Sequence, residues 1–222
     1  MNGNEKNNSE KIMELIENAR TIAVIPSKVA GADAFSAAVG LYNMLLATGK
    51  DVSLVYTGKV PEVAEHLVKK EEITANIFTR ELLVSIDYSN TPAAKVHYST
   101  DNDILTLKLS PVPKDFDRSR VKTFIKGMEF DVIFTVGVQE LADLGQTYRE
   151  LEEEFRAAKI INVDNTDRNR RYGAVNIIDT SAENLSMVVF RNCPTWGLQP
   201  DTKSAKALLT GMTYREVKVD SR

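Results

Sequence analysis

The chain has 222 residues, 43% hydrophobic and 27% charged, the balance of a globular protein long enough to bury a real core. Its formal net charge of −3 gives no global attraction for nucleic acid or anionic lipid, and one cysteine, Cys193, excludes an internal disulfide framework or a cysteine-rich zinc site. No apolar run approaches 18 residues and no signal-peptide pattern opens the chain, so the expectation is a cytoplasmic protein without membrane attachment.

Residues 1–10 are polar and read as a disordered tail. Ile12, Leu15 and Ile16 fall at helical spacing, which predicts a helix over about residues 9–20. TIAVI (21–25) followed by Pro26 and Ser27 reads as a buried parallel strand ending in a loop. Residues 34–48 read as a helix stopped by Gly49, and DVSLVYT (51–57) as the next strand. The loop 27–33 of this βαβ unit opens a helix, the usual ligand position in open α/β sheets. The middle is β-rich. ELLVSIDYS (81–89), AKVHYST (94–100) and DILTLKLSP (103–111) predict a small antiparallel insert over about 80–112, with a turn at Thr100, Asp101 and Asn102. FDVIFTV (130–136), a charged helix at 146–158, KIINVD (159–164), GAVNIID (173–179) and helices near 182–192 and 201–213 restore the α/β order. The expected architecture is one α/β domain over 11–222. It has a doubly wound, mainly parallel sheet flanked by helices, and it carries the β insert.

Three segments then resemble the motifs of DHH-family phosphoesterases, the group with RecJ-like and oligoribonuclease-like members. IAVIPSKVAGADAFSAAVGLYNMLLATGKDVSLV is similar to the first motif, a strand ending in His followed by Asp-x-Asp and a small-residue helix. DVIFTVGVQELADLG resembles the second, a strand ending in a metal-bridging Asp, and IINVDNTDRNRRYGAVNIID resembles the Asp-His-His motif. With the helix containing LLTG, the resemblance covers most of residues 12–214. It implies a catalytic centre in which two divalent ions, usually manganese, are held by two histidines and four aspartates and activate a water.

Position by position, the implied ligands are mostly replaced. The first-motif His falls on Ser27, and the Asp-x-Asp pair falls on Gly31 and Asp33. The bridging Asp falls on Gly137, and Asp-His-His on Asp164, Asn165 and Thr166. A last Asp is expected near Arg215. Asp33 is then the one retained ligand, since the aspartate at position 164 mainly supports the others. A slip of alignment would bring in Glu140 or Asp143 but no histidine, because His66 and His97 lie outside the motifs. The expectation is no catalytic residue, no metal site and no cofactor, the ancestral Mn2+ pair having been lost. The resemblance also implies a second, substrate-binding domain, which is expected to be absent because the chain stops at Arg222.

Gly31 and Ala32, at the start of a helix, and the loop residues Arg168, Asn169, Arg170 and Arg171 are candidates for holding an anion or nucleotide. The plainer reading is tight packing for the first pair and a solvated loop for the second group. Cys193 reads as a packed thiol, Asp87, Asp101 and Asp103 as turn residues without calcium-loop spacing, and Glu150 and Glu152–Glu154 as a solvated helix face. Three functions remain in competition. The first is a non-catalytic protein of binding, assembly or regulation, with an unknown protein partner or self-association. The second is a metal-depleted phosphodiesterase or nuclease-type hydrolase that uses Asp33 and Asp164. The third is a module that binds a nucleotide, RNA or another single-stranded nucleic acid.

Overall fold

A computed structural model describes residues 3–75, 81–87, 89, 95–112, 115–126 and 129–214. The chain divides into a body, residues 1–79 and 128–222, and an insert, residues 80–127.

The body begins with helix α1, Gly3–Asn18. It takes in residues 3–10, which composition alone assigns to a tail. The helix is tied down where its apolar stripe meets the core. Ile12 and Ile16 are buried there, and the Ser9 hydroxyl donates to Thr195 Oγ1 at 3.1 Å. Strand β1, Thr21–Pro26, is buried from Ile22 onward, as an apolar strand covered on both faces should be. Helix α2 (Gly31–Leu46) and strand β2 (Asp51–Val55) complete the first βαβ unit. Two 3-10 turns, Glu62–Leu67 and Lys70–Glu72, then lead into a two-residue strand, β3 (Ile73–Thr74). No periodicity in the residues marks these three elements.

The insert holds β4 (Glu81–Ile86), β5 (Lys95–Asp101), β6 (Ile104–Ser110) and β7 (Val121–Lys126). β5 and β6 form an antiparallel hairpin. Its two turn residues are Asn102 and Asp103, both at positive φ (46° and 63°), one position later than the turn read from sequence. Two consecutive positive-φ residues are the turn geometry that matches strand twist, and Asn and Asp tolerate it best after glycine. β7 pairs antiparallel with β4, so the insert runs to residue 127 rather than ending near 112.

The body resumes with β8 (Val132–Val136) and the short helices α3 (Gln146–Glu150) and α4 (Glu152–Ala157). These two replace the single charged helix expected at 146–158; Leu151, buried between them, breaks the helix. Strands β9 (Lys159–Asp164) and β10 (Val175–Ile178) and helices α5 (Leu185–Asn192) and α6 (Thr202–Thr213) finish it. No helix among the described residues is long and apolar enough to cross a membrane.

Six strands form one parallel sheet in the order β10-β9-β8-β1-β2-β3. The chain starts at the centre with β1, builds outward through β2 and β3, then returns to β8 and builds the other way. The order reverses between β1 and β8. Beyond their carboxyl ends lies the crevice where sheets of this kind hold ligands. On one face of the sheet, α2, α5 and α6 bury Phe35, Leu41 and Leu208 with Phe134 and Trp196; on the other, Phe155 and Leu151 cover Ile133 and Ile160.

Glycines let α2 and α6 approach closely. A Cβ at Gly211 would stand 2.0 Å from Ser186 Oγ and 3.1 Å from Asp33 Oδ1, whereas one at Gly40 would meet Leu208 Cδ2 at 2.7 Å, a buried side chain with no hydrogen bond to lose. Gly211→Ala should therefore cost about 1–3 kcal/mol through overpacking and Gly40→Ala less, read as a shift in urea-unfolding midpoint. Equal midpoints for the two variants would refute this account of the α2–α6 contact.

Candidate functional site

The reversal point fixes where to look: the loop after β1 (residues 27–30), the loop after β8 (from Gly137), and the first turn of α2. The backbone N–H of Ser27 donates to Val136 O at 2.8 Å, and that of Gly137 to Val163 O at 2.8 Å, which extends the sheet by one residue on each strand. Ser27 is buried, and its hydroxyl oxygen accepts from the N–H groups of Val29 and Ala30, both at 3.2 Å. It shapes the turn that lifts Lys28 and Val29 into solvent. Gly31, at φ 62°, redirects the chain into α2 with nothing within 4 Å of a would-be Cβ, and Ala32 is buried against the core.

Asp33 lies in the first turn of α2 and points at α5. Its Oδ2 accepts from the Leu185 N–H at 2.6 Å, and its Oδ1 from the Ser186 N–H at 3.1 Å and the Ser186 hydroxyl at 3.0 Å. Asn184 Oδ1 accepts from the Met187 N–H at 2.8 Å. Three N–H groups that a helix start leaves without partners are thus satisfied by two side chains. Leu185 then projects into the crevice. A Cβ on Gly137 (φ 71°) would meet Leu185 Cδ1 at 2.6 Å, Ala30 Cβ at 3.2 Å and Ala34 Cβ at 3.4 Å. The reversal point is closed by apolar carbon.

One strand further out, polar side chains converge. Asn162, inside an otherwise apolar strand, donates to Asn169 Oδ1 at 2.6 Å and Asn176 Oδ1 at 3.1 Å. Asn169 Nδ2 donates to Asp164 Oδ2 at 2.7 Å and Val138 O at 2.9 Å, while its Oδ1 also accepts from the Arg171 N–H at 2.8 Å. The Tyr172 hydroxyl donates to Val138 O at 3.0 Å and lies 2.7 Å from Thr135 Oγ1, which is left as the donor to it. The loop 165–174 is thereby clamped onto β8 and β9. Asp164 Oδ1 accepts from the Asn165 N–H at 2.8 Å, the Asn165 amide donates to Ala182 O at 3.2 Å, and Thr166 Oγ1 accepts from the Arg168 N–H at 3.3 Å. Burial is the largest influence on both Asp33 and Asp164. It holds each carboxyl above its ordinary range despite the bonds that pull downward.

Asp33 belongs to the α2–α5–α6 junction and Asp164 to the asparagine network, and no hydrogen bond among the described residues links them directly. The side chains of Arg168, Arg170 and Arg171 are exposed, whereas Asn169 is buried with its amide fully engaged. Arg168 and Arg170 line a cavity of about 520 Å³ with Gln139, Glu140, Asp143 and Asp167; Arg170 Nε is 3.9 Å from Glu140 Oε2. Arg215 lies outside the described residues. Cys193 is buried, its thiol pushed up to about 11 by desolvation, and Asp87 accepts from the N–H and hydroxyl of Ser89. Among the described residues, no three His, Cys, Asp or Glu side chains are placed to hold a metal ion.

Leu185, Ser186, Asn162, Asn176 and Tyr172 are site residues that sequence reasoning did not single out. Asn162 carried a signal: an amide in the middle of a fully buried apolar strand must have partners.

This sheet order, with its reversal between β1 and β8, is that of a doubly wound α/β fold. The chain's backbone superimposes on an exopolyphosphatase-related protein from Bacteroides fragilis with a TM-score of 0.64 and 16% identity, over 93% of this chain and 49% of that one. The chain thus spans about half the length of that neighbour. RecJ from Thermus thermophilus, in complex with Mn2+, aligns at a TM-score of 0.42 and 15% identity, over 95% of this chain and 24% of that one. No family model and no curated protein matches the sequence.

Asp33→Ala strands two N–H groups at the start of α5 and should cost about 1–3 kcal/mol, with Asp33→Asn costing less because it keeps an acceptor. Equal losses in chemical denaturation would contradict the capping role. The pH dependence has a definite sign. The folded-state values of Asp33 and Asp164 are raised, so their contribution is complete below the ordinary carboxylate range, about pH 4, and is lost as pH rises through the raised values. Thermal midpoints of an Asp33→Asn/Asp164→Asn double variant should lose that part of the wild-type decline, and parallel curves would refute the assignment.

Proposed function

We propose that this chain is a non-catalytic protein on a phosphoesterase fold, acting in binding, assembly or regulation rather than in hydrolysis. The observation that carries the reading is the state of the crevice between β1 and β8. Leu185 fills the space in front of Gly137, and both Asp33 oxygens are engaged by α5. Two-ion hydrolysis needs several hard oxygen or imidazole donors converging on each ion with positions left open for water and substrate. Here the retained carboxylate faces a helix start, Ser27 faces its own loop, and Asn165 and Thr166 bond to backbone. This donor set does not fit a pair of divalent ions. An acid–base mechanism on Asp33 and Asp164 is also disfavoured, because each carboxylate is committed to a separate structural network.

Titration calorimetry with Mn2+ should give no stoichiometric binding, and short oligonucleotides and cyclic dinucleotides should not be turned over. Tight binding of two ions per chain would overturn the proposal.

A second reading has one observation in its favour, the 520 Å³ cavity at the carboxyl ends of β8 and β9 bearing Arg168 and Arg170. A nucleotide or single strand held there would contact the two guanidiniums. Binding would weaken with salt and be lost in Arg168→Glu/Arg170→Glu. Its weakness is that Glu140, Asp143 and Asp167 line the same cavity and outnumber the arginines.

A further inference from the structure

The turn Glu62–Leu67 packs against α2 and α6, and beside it lies a groove of about 570 Å³ lined wholly by residues of the body. The direction of the chain sets its place. α2 runs back from the carboxyl edge of the sheet, so Asn43, near its end, stands at the amino edge. The turn Lys70–Glu72 leads directly into the amino end of β3. Lys203 and Lys206 belong to the first half of α6, whose far half carries Gly211 to Asp33 at the carboxyl edge. The groove is therefore at the opposite edge of the sheet from the crevice.

Its lining is cationic. Lys69 and Lys70 enter from the turns and Lys203 and Lys206 from α6, and none of the four ammonium groups has an ion-pair or hydrogen-bond partner among the described residues. Three glutamates share the groove. Glu72 is occupied: its Oε2 accepts from the Lys69 backbone N–H at 2.8 Å, and its charge, after burial, helps raise the Tyr42 hydroxyl above its ordinary range. Glu65 and Glu71 are exposed. Four lysines against three glutamates leave the groove positive in a chain of net charge −3, the reverse of the balance around Arg168 and Arg170. Like charges gathered around one groove repel each other, and an anion between them removes that repulsion. Asn43 is a second and independent sign. It also lines the groove, and its amide nitrogen is buried without a hydrogen-bond partner. Native structures leave few buried N–H groups unpaired, and such a donor calls for an acceptor.

We propose that this groove binds a small phosphorylated anion, its oxygens received by the four ammonium groups and the Asn43 amide. The volume is that of a small-molecule site. Lysine meets phosphate as a point charge, and a cluster of such charges favours a compact group with two or more negative charges over a monocarboxylate. Leu67 and Val68, half-buried in the same lining, offer apolar contact to whatever the phosphate is attached to. Mn2+ titration of the crevice leaves this binding unaffected, so the two readings fail separately.

Titration calorimetry of the full chain with inorganic pyrophosphate at low salt should show saturable binding at one site, weakening as salt is added. Lys203→Ala/Lys206→Ala and Lys69→Ala/Lys70→Ala should each weaken it at least about tenfold, since each removes two charge-assisted bonds. Asn43→Leu, which keeps the volume and removes the amide, should weaken binding without lowering the thermal midpoint, because that amide nitrogen bonds to nothing in the fold. Arg168→Glu/Arg170→Glu should leave binding unchanged. Thermal unfolding followed through the buried Trp196 is the folding control for every variant. Absence of saturable binding up to about 1 mM pyrophosphate would overturn the proposal. So would an affinity unchanged by either lysine pair, an affinity lost with the two arginines, or tighter binding of single-stranded DNA at the same salt.

Discussion

Asp33 bonding to the first turn of α5 is the contact that organises the carboxyl edge of the sheet. Its two oxygens receive the N–H groups of Leu185 and Ser186, which fixes where α5 begins and the direction in which Leu185 points. Gly211 leaves room on the α6 side for Ser186 to reach the same carboxylate, so α2, α5 and α6 meet at one acidic group. A carboxylate at a helix N-terminus is held by both hydrogen bonds and the helix dipole, an arrangement in which a single side chain can replace a larger apolar contact. Leu185 then seals the space before Gly137. An aspartate at 137 would have to displace that leucine before its oxygens could reach solvent.

The asparagine network has the same character one strand away. Asn162, Asn169 and Asn176 exchange hydrogen bonds with one another, with Asp164 and with the carbonyls of Val138 and Gly173. A catalytic site holds donors and acceptors ready for a group that is not yet there, and that readiness costs stability. Here the polar atoms at the ends of β8 and β9 are turned toward each other. Buried networks that are fully satisfied make loops rigid and specify one conformation. The loop 165–174 is therefore better understood as a wall of the body than as a gate.

Much of this was legible in the residues. TIAVIP, DVIFTV and KIINVD are short apolar runs of the kind that parallel strands buried on both faces require, and each became a sheet strand. The stretch from Glu62 to Thr74 was not legible, because 3-10 turns and a two-residue strand are held by tertiary contacts rather than by any repeat. Nor was the pairing of β7 with β4, since strands distant in sequence leave no mark of partnership in a single chain. At the site, the places of Ser27, Gly137 and Asp164 at strand ends could be read, but not what their surroundings bond to. The direction of Asp33 depends on Leu185 and Ser186, about 150 residues away, and no local pattern encodes that.

Body and insert solve the folding problem differently. The body closes its core on both faces of the sheet, and its polar groups at the carboxyl edge are drawn into structural bonds. The insert keeps an alternating pattern in β5 and β6 and a well-formed turn at Asn102–Asp103. In the body, burial and polar satisfaction act together: the apolar layers exclude water from Asp33 and Asp164, and the N–H and amide groups bonded to these carboxylates offset part of the cost of that exclusion.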